Sequence, residues 1–196
     1  RKARSVYIRA ERKPGELIEV DVKYVPGPIA GKRYFQYTAI DTASRWRYMD
    51  VYDEQSGWNA CEFLEAVIAR FSHPLRAVKT DNGAIFTNRY TGTYKRLDRM
   101  PRGVHAFDRF CANRDIIHYL IDPGKPAQNG TVERSHREDQ EKFYDVYTFS
   151  SLRDLRTKLS AWNTYYNNLE HCGLGGKTPN LFLEEYSKVN PPYVCT

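Results

Sequence analysis

No apolar run in these 196 residues approaches the ~20 that a membrane-spanning helix needs. The first residues, Arg1-Lys2-Ala3-Arg4, lead into no apolar stretch, so no secretory signal is expected, and a start without Met points to an excised or processed chain. Cysteine is scarce. The four present, Cys61, Cys111, Cys172 and Cys195, form no C-x-x-C pair, which argues against a zinc knuckle or a redox motif. His171-Cys172 has no second pair of ligands at zinc-site spacing and reads as loop. Reduced thiols in a cytoplasmic protein are the expectation. No internal repeat and no low-complexity tract occurs. The remainder has 41% hydrophobic and 28% charged residues, an ordinary balance for one globular domain with a core.

Net charge is +6, which favours polyanionic partners without proving them. The excess is unevenly placed. Between Asn88 and Arg109 stand Arg89, Lys95, Arg96, Arg99, Arg102 and Arg109 against only Asp98 and Asp108. A solvated loop and a loop on phosphates explain that run about equally well. Residues 1–15 read as a basic tail or linker ending at Pro14-Gly15, 16–186 as one core with a basic insert near 88–104, and 187–196 as a second tail.

From Leu17 to Val25 polarity alternates: Ile18, Val20, Val22 and Tyr24 on one face, Glu19, Asp21 and Lys23 on the other, a half-buried strand. Tyr34 to Ile40 and Trp46 to Tyr52 are two further strands, joined as a hairpin. Cys61, Leu64, Val67, Ile68 and Phe71 recur at helical spacing after a cap at Ser56, and the helix stops near His73-Pro74. Leu75 to Thr80 predicts a strand that returns parallel to the first. A short helix over 105–114 and a last strand from Ile116 to Ile121 follow. A long helix is predicted from Ala127 to Tyr144, and another from Ser151, with Ser151 and Asp154 as a capping box. Thr178-Pro179 starts a short final helix. The order is α/β, a mixed sheet with helices on both faces.

Three acids stand out by position. Asp21 lies mid-strand, Asp81 ends the strand after the crossover helix, and Glu133 lies in the long helix. Carboxyl ends of strands are where functional groups collect in such sheets. Breaking a phosphodiester needs neutralised oxygens and a placed nucleophile, which two metal ions ~3.5–4 Å apart supply. Mg²⁺ takes carboxylate oxygens and keeps several waters, so three acids suffice as the protein's share. Taken singly, each is more readily a solvated surface group; the case rests on their contexts together.

Those contexts carry a resemblance. Glu19-Val20-Asp21, Lys79-Thr80-Asp81-Asn82-Gly83 and Gly124-Lys125-Pro126-Ala127-Gln128-Asn129-Gly130-Thr131-Val132-Glu133-Arg134-Ser135-His136-Arg137 resemble the integrase catalytic core of bacterial insertion-sequence transposases, whose fold retroviral integrases share. Tyr165-Tyr166-Asn167-Asn168 and Gly175-Gly176-Lys177-Thr178-Pro179 are similar to that family's C-terminal end. The resemblance implies a ribonuclease-H-like five-stranded sheet, two Mg²⁺ or Mn²⁺ ions on Asp21, Asp81 and Glu133, and transfer of a DNA 3′-hydroxyl end to target DNA. It also implies a homodimer or larger assembly on DNA, in the bacterial nucleoid. The gap from Asp81 to Glu133 is longer than the family's, an excess placed in the basic insert; Asp115 is nearer the usual spacing but lacks the helix context. A nuclease that only hydrolyses, and a DNA-binding relative without activity, are the alternatives.

Around the triad, Glu133, Arg137 and Gln140 share a helix face. Lys125 and Arg137, with Arg134 and His136 on other faces, are candidates for phosphate contact. Gln128 and Asn129 stand at the helix entrance, where exposed N–H groups meet anions. Arg96, Arg99 and Arg102 are the insert's candidates for DNA binding.

Overall fold

A computed structural model describes residues 12–89 and 103–191 of the chain. Arg96, Arg99, Arg102, Cys195 and most of the two tails lie outside the described residues. The sequence's strand alternation becomes β1 (Ile18–Tyr24), β2 (Phe35–Asp41) and β3 (Arg47–Tyr52), followed by α1 (Gly57–Arg70), β4 (Ala77–Thr80), α2 (Ala106–Ala112) and β5 (Ile117–Leu120). A 3₁₀ turn at Pro126–Asn129 leads into α3 (Gly130–Asp139), then come α4 (Leu152–Asn167) and α5 (Pro179–Val189). The five strands run in the order β3-β2-β1-β4-β5. The first three are antiparallel, and β4 and β5 run parallel to β1.

Period-2 alternation splits the core between two faces. Ile18, Val20, Tyr37 and Ala39 pack with Ala60, Phe63, Leu64 and Val67 of α1. Met49 and Val51 pack on the opposite face with Leu155, Leu159 and Trp162 of α4. Ser56 caps α1 by accepting from the Asn59 amide at 3.1 Å, as its position predicts. At α4, Ser151 accepts from the Asp154 amide, but Asp154 answers to the Ser150 amide at 3.0 Å, one residue earlier than a closed capping box.

The long helix expected over 127–144 is three segments. It opens as the 3₁₀ turn, is α-helical through Asp139, and widens into a π turn over Gln140–Tyr144, where the Asp145 amide reaches back to the Gln140 carbonyl at 2.9 Å. The widening lets Asp139 and the adjacent aromatics Phe143 and Tyr144 all turn inward, which a regular α-helix does poorly for neighbouring residues.

β3 is an edge of the sheet, and α4 closes it. Asn163 brackets Met49, accepting its N–H at 3.0 Å and donating to its carbonyl at 2.8 Å. Asn167 does the same for Arg47, at 2.8 and 2.7 Å. Two amides four apart on a helix match two strand residues two apart, and an edge that would otherwise recruit another chain is used up.

Candidate active site

Parallel pairing of β1 with β4 sets Ile18 beside Val78 and Glu19 beside Lys79. Two residues further along, the same offset sets Asp21, in the middle of β1, level with Asp81, the first residue past β4. Asp81 leaves β4 in a tight turn, and its carboxylate accepts the Gly83 N–H at 2.9 Å. A Cβ at Gly83 would sit 2.9 Å from that same oxygen, so any larger residue there pushes the carboxylate aside. Asn82 ties the turn to the end of β5 by donating to the Ile121 carbonyl at 3.0 Å. Behind it, the Thr80 hydroxyl is 2.8 Å from His118 Nε2, and His118 Nδ1 is 2.6 Å from Asp108.

The third acid arrives on α3, which lies across β1 and β2. Lys23 donates to the His136 carbonyl at 3.2 Å, and Asn129 Nδ2 reaches the Val20 carbonyl at 3.4 Å. Glu133 is exposed on the helix. His136, one turn later, is wedged between the two layers: Nδ1 is 3.5 Å from Asp21 and Nε2 is 3.2 Å from the Thr38 hydroxyl.

Electrostatics links the three acids. Burial, first of all, and then the charges of Asp81 and Glu133 raise the Asp21 carboxyl from 3.8 to about 7, against the opposing Val22 amide and the Lys23 charge. Burial, then the Lys23 charge, lowers His136 to about 4. At neutral pH the imidazole is therefore neutral, and its contact with Asp21 is a polar one rather than an ion pair. The three carboxylates stand within electrostatic reach, yet among the described residues no group of three His, Cys, Asp or Glu side chains is gathered tightly enough to hold a metal ion. The donor chemistry suits hard cations: all three are carboxylates, and a cation between them would offset the burial and the repulsion that together raise Asp21.

The other candidates fall in different settings. Lys125 is exposed and pairs with Asp122 at 3.0 Å, and Gln128 braces the same turn through Asp122. Arg134 and Arg137 are exposed on α3. Asn129 is buried. Asp115 is exposed in the turn that follows α2, with φ of 56°, and not on a helix.

One polar cluster escaped the sequence. Arg47 and Asp139, both 0% exposed, pair at 2.7 Å. Asp139 also accepts from Gln36 at 3.0 Å and from the Trp162 indole at 2.9 Å, and the Arg47 guanidinium lies 3.6 Å from the Tyr166 ring centre. The Tyr166-Asn167 pair thereby finds its use, one residue on the Arg47 side chain and the other on its backbone.

Comparison with known proteins bears on this geometry. Residues 11–126 match the family model described as "Integrase core domain", and residues 114–179 match a second model of the same description. The chain belongs to the integrase core domain family. ORF3 of Spiroplasma virus SpV1-C74 is 29% identical over 188 residues, 92% of this chain and 51% of that protein. The 31.7 kDa protein of insertion element IS407 from Burkholderia multivorans is 27% identical, over 95% of this chain and 63% of the relative. This integrase core thus spans between half and two thirds of the length of those two relatives. Among solved structures, the catalytic core domain of BIV integrase aligns with a TM-score of 0.62 at 20% identity, covering 90% of this chain and 99% of that one. The HTLV-2 integrase catalytic core in complex with magnesium aligns with a TM-score of 0.60 at 19% identity, covering 86% and 95%. The fold is the ribonuclease-H-like one that the motifs imply. No helix among the described residues is long and apolar enough to cross a membrane.

Proposed function

We propose that this chain is the catalytic core of a DDE-type transposase or integrase, which nicks DNA ends and joins a 3′-hydroxyl to target DNA. The observation that supports the reading is placement: the register of β1 with β4 sets Asp21 level with Asp81, and Glu133 on α3 is near enough that both acids add to the burial that raises the Asp21 carboxyl. Such clustering costs stability unless a cation is bound there. Asp21, Asp81 and Glu133 would hold two Mg²⁺ or Mn²⁺ ions. When bound, those ions neutralise the non-bridging phosphate oxygens and ready the attacking and leaving oxygens.

The chain's own residues do the rest. The parallel pairing of β1 and β4 fixes Asp21 and Asp81 in register. Glu133, exposed on α3, would turn toward them to complete the set. His136 packs against Asp21 and holds the carboxylate against the sheet, and Gly83 gives Asp81 its place. Lys125, Gln128, Arg134 and Arg137 line the approach to Glu133 and contact the DNA backbone, with Arg96, Arg99 and Arg102 of the basic insert adding to that grip. Asn129 acts from within, on the helix entrance. Joining two ends calls for at least two copies on DNA.

Incubation of the protein with Mn²⁺, a pre-cut element-end oligonucleotide and a plasmid target tests the reading. Joined products are expected. Shortened oligonucleotides alone would mean a hydrolytic nuclease, and intact oligonucleotides a DNA-binding relative without activity.

A further inference from the structure

Each proposed ligand has a neighbour two residues upstream: Glu19 before Asp21, Lys79 before Asp81, Thr131 before Glu133. On a strand, two residues is one full repeat, so Glu19 and Lys79 lie on the same face as the aspartates, one step deeper. These three neighbours meet. Glu19 is 4% exposed. Its Oε1 faces Lys79 Nζ at 3.1 Å. Its Oε2 accepts the backbone N–H groups of Thr131 at 2.9 Å and Val132 at 3.1 Å. Lys79 Nζ donates in turn to the Gln128 carbonyl at the mouth of the same helix.

A second observation is independent of the first. Asn129, at the N-cap position of α3, makes no side-chain cap hydrogen bond. Helix N-termini leave donors that need an acceptor. Here the acceptor comes from β1, and it is a carboxylate, which the helix dipole also favours. The cap is thus a tie between sheet and helix rather than a local turn. Lys79 brings β4 into the same tie. A shift of any of the three elements would break one of these contacts.

We infer that Glu19 and Lys79 are a positioning pair that holds the backbones carrying Asp21, Asp81 and Glu133 in register, from which the three side chains reach shared metal ions. The inference rests on the proposed metal-dependent reading of the triad. Neither side chain touches substrate; both act through the ligands one step above them. Outer partners that orient metal ligands typically contribute 10–100-fold in affinity.

Glu19→Gln keeps an oxygen for the Thr131 and Val132 amides and removes the charge facing Lys79. Lys79→Met removes the other half, and Lys79→Arg conserves it. Mn²⁺ binding by calorimetry, thermal melting and hydrogen exchange at Thr131 and Val132 are read on all three, beside wild type and Asp21→Asn. Glu19→Gln and Lys79→Met are expected to melt below wild type, since each leaves a buried charge without its partner, yet to stay folded at the temperature of the titration while binding Mn²⁺ on the order of tenfold more weakly. Lys79→Arg is expected to bind as wild type does. Unchanged Mn²⁺ affinity in Glu19→Gln and Lys79→Met, with binding still abolished by Asp21→Asn, would overturn the positioning role alone and leave a purely structural tie. Absence of Mn²⁺ binding in wild type, or its persistence in Asp21→Asn, would overturn the triad and this pair together.

Discussion

Glu133 and Asp139 sit on one helix, less than two turns apart, and the fold treats them in opposite ways. Asp139 is fully buried, and every interaction it makes is answered by the protein: Arg47, Gln36 and the Trp162 indole. Glu133 is exposed, and its charge acts on Asp21, another acid, on the sheet beneath. A charge neutralised from within holds the fold together; an exposed charge near another acid is where a bound cation would lower the repulsion. The two regions are also joined. Gln36 Nε2 touches the Thr38 hydroxyl at 2.8 Å, and that hydroxyl meets His136, which meets Asp21. The sealed network therefore acts as a footing for the open one.

Substitution separates the two acids most widely. Glu133→Gln is expected to abolish joining, on the order of 10³-fold or more, with the melting temperature unchanged. Asp139→Ala should do the reverse in kind: it strands the buried Arg47 and costs about 3–5 kcal/mol of stability by urea denaturation. Equal stability of the two variants would erase the distinction drawn between these acids. Next in size, Gly83→Ala forces the Asp81 carboxylate from its place, so joining should fall about 100-fold while melting barely shifts. Wild-type joining by that variant would show that Asp81 has room to spare.

Protons act on the same contrast at a smaller scale. Asp21 titrates near 7 in the fold and near 3.8 when unfolded, so the folded state favours its protonated form. That contribution is complete below about pH 4 and is lost as pH rises through 7. Asp21→Asn should therefore be more stable than wild type at pH 8 without divalent ions, by on the order of 1–3 kcal/mol, and the gain should vanish toward pH 4. His136 works in the opposite sense. Its depressed value makes its contribution present above about 6.5 and lost as pH falls through 4. For that reason the measurement compares variant with wild type rather than following one protein down the pH scale. The smallest effect belongs to the insert. Neutralising Arg96, Arg99 and Arg102 together should flatten the salt dependence of DNA binding by about one unit of log–log slope for each phosphate no longer neutralised. An unaltered slope would remove that segment from the DNA interface.

How much of this was legible in the sequence follows from range. Asp21 was readable because strand polarity has a period of two, and Asp81 because a strand runs into an Asn-Gly turn. The antiparallel hairpin and the parallel return of β4 followed from alternation and one crossover helix. Arg47 and Asp139 were invisible. Each looks like an ordinary surface charge, and the contact that buries them spans 92 positions. Glu19 and Lys79 carry a signal in the sequence itself, since each stands two residues ahead of a candidate acid on the same strand face. Reading the whole polar face of β1 as exposed hides it; in truth α3 covers that face. His136, a candidate phosphate contact by sequence, faces Asp21 instead, because the helix lies over β1 and β2 and not beside them. The π turn answers to burial of Asp139, Phe143 and Tyr144, which helical periodicity alone does not report.

A crystal soaked in Mn²⁺ tests the central claim most directly. Two ions are expected between Asp21, Asp81 and Glu133, with Glu133 swung inward and Glu19, Lys79 and the first turn of α3 unmoved. Ions bound elsewhere, or Glu133 still facing solvent with Asp21 and Asp81 unligated, would contradict it.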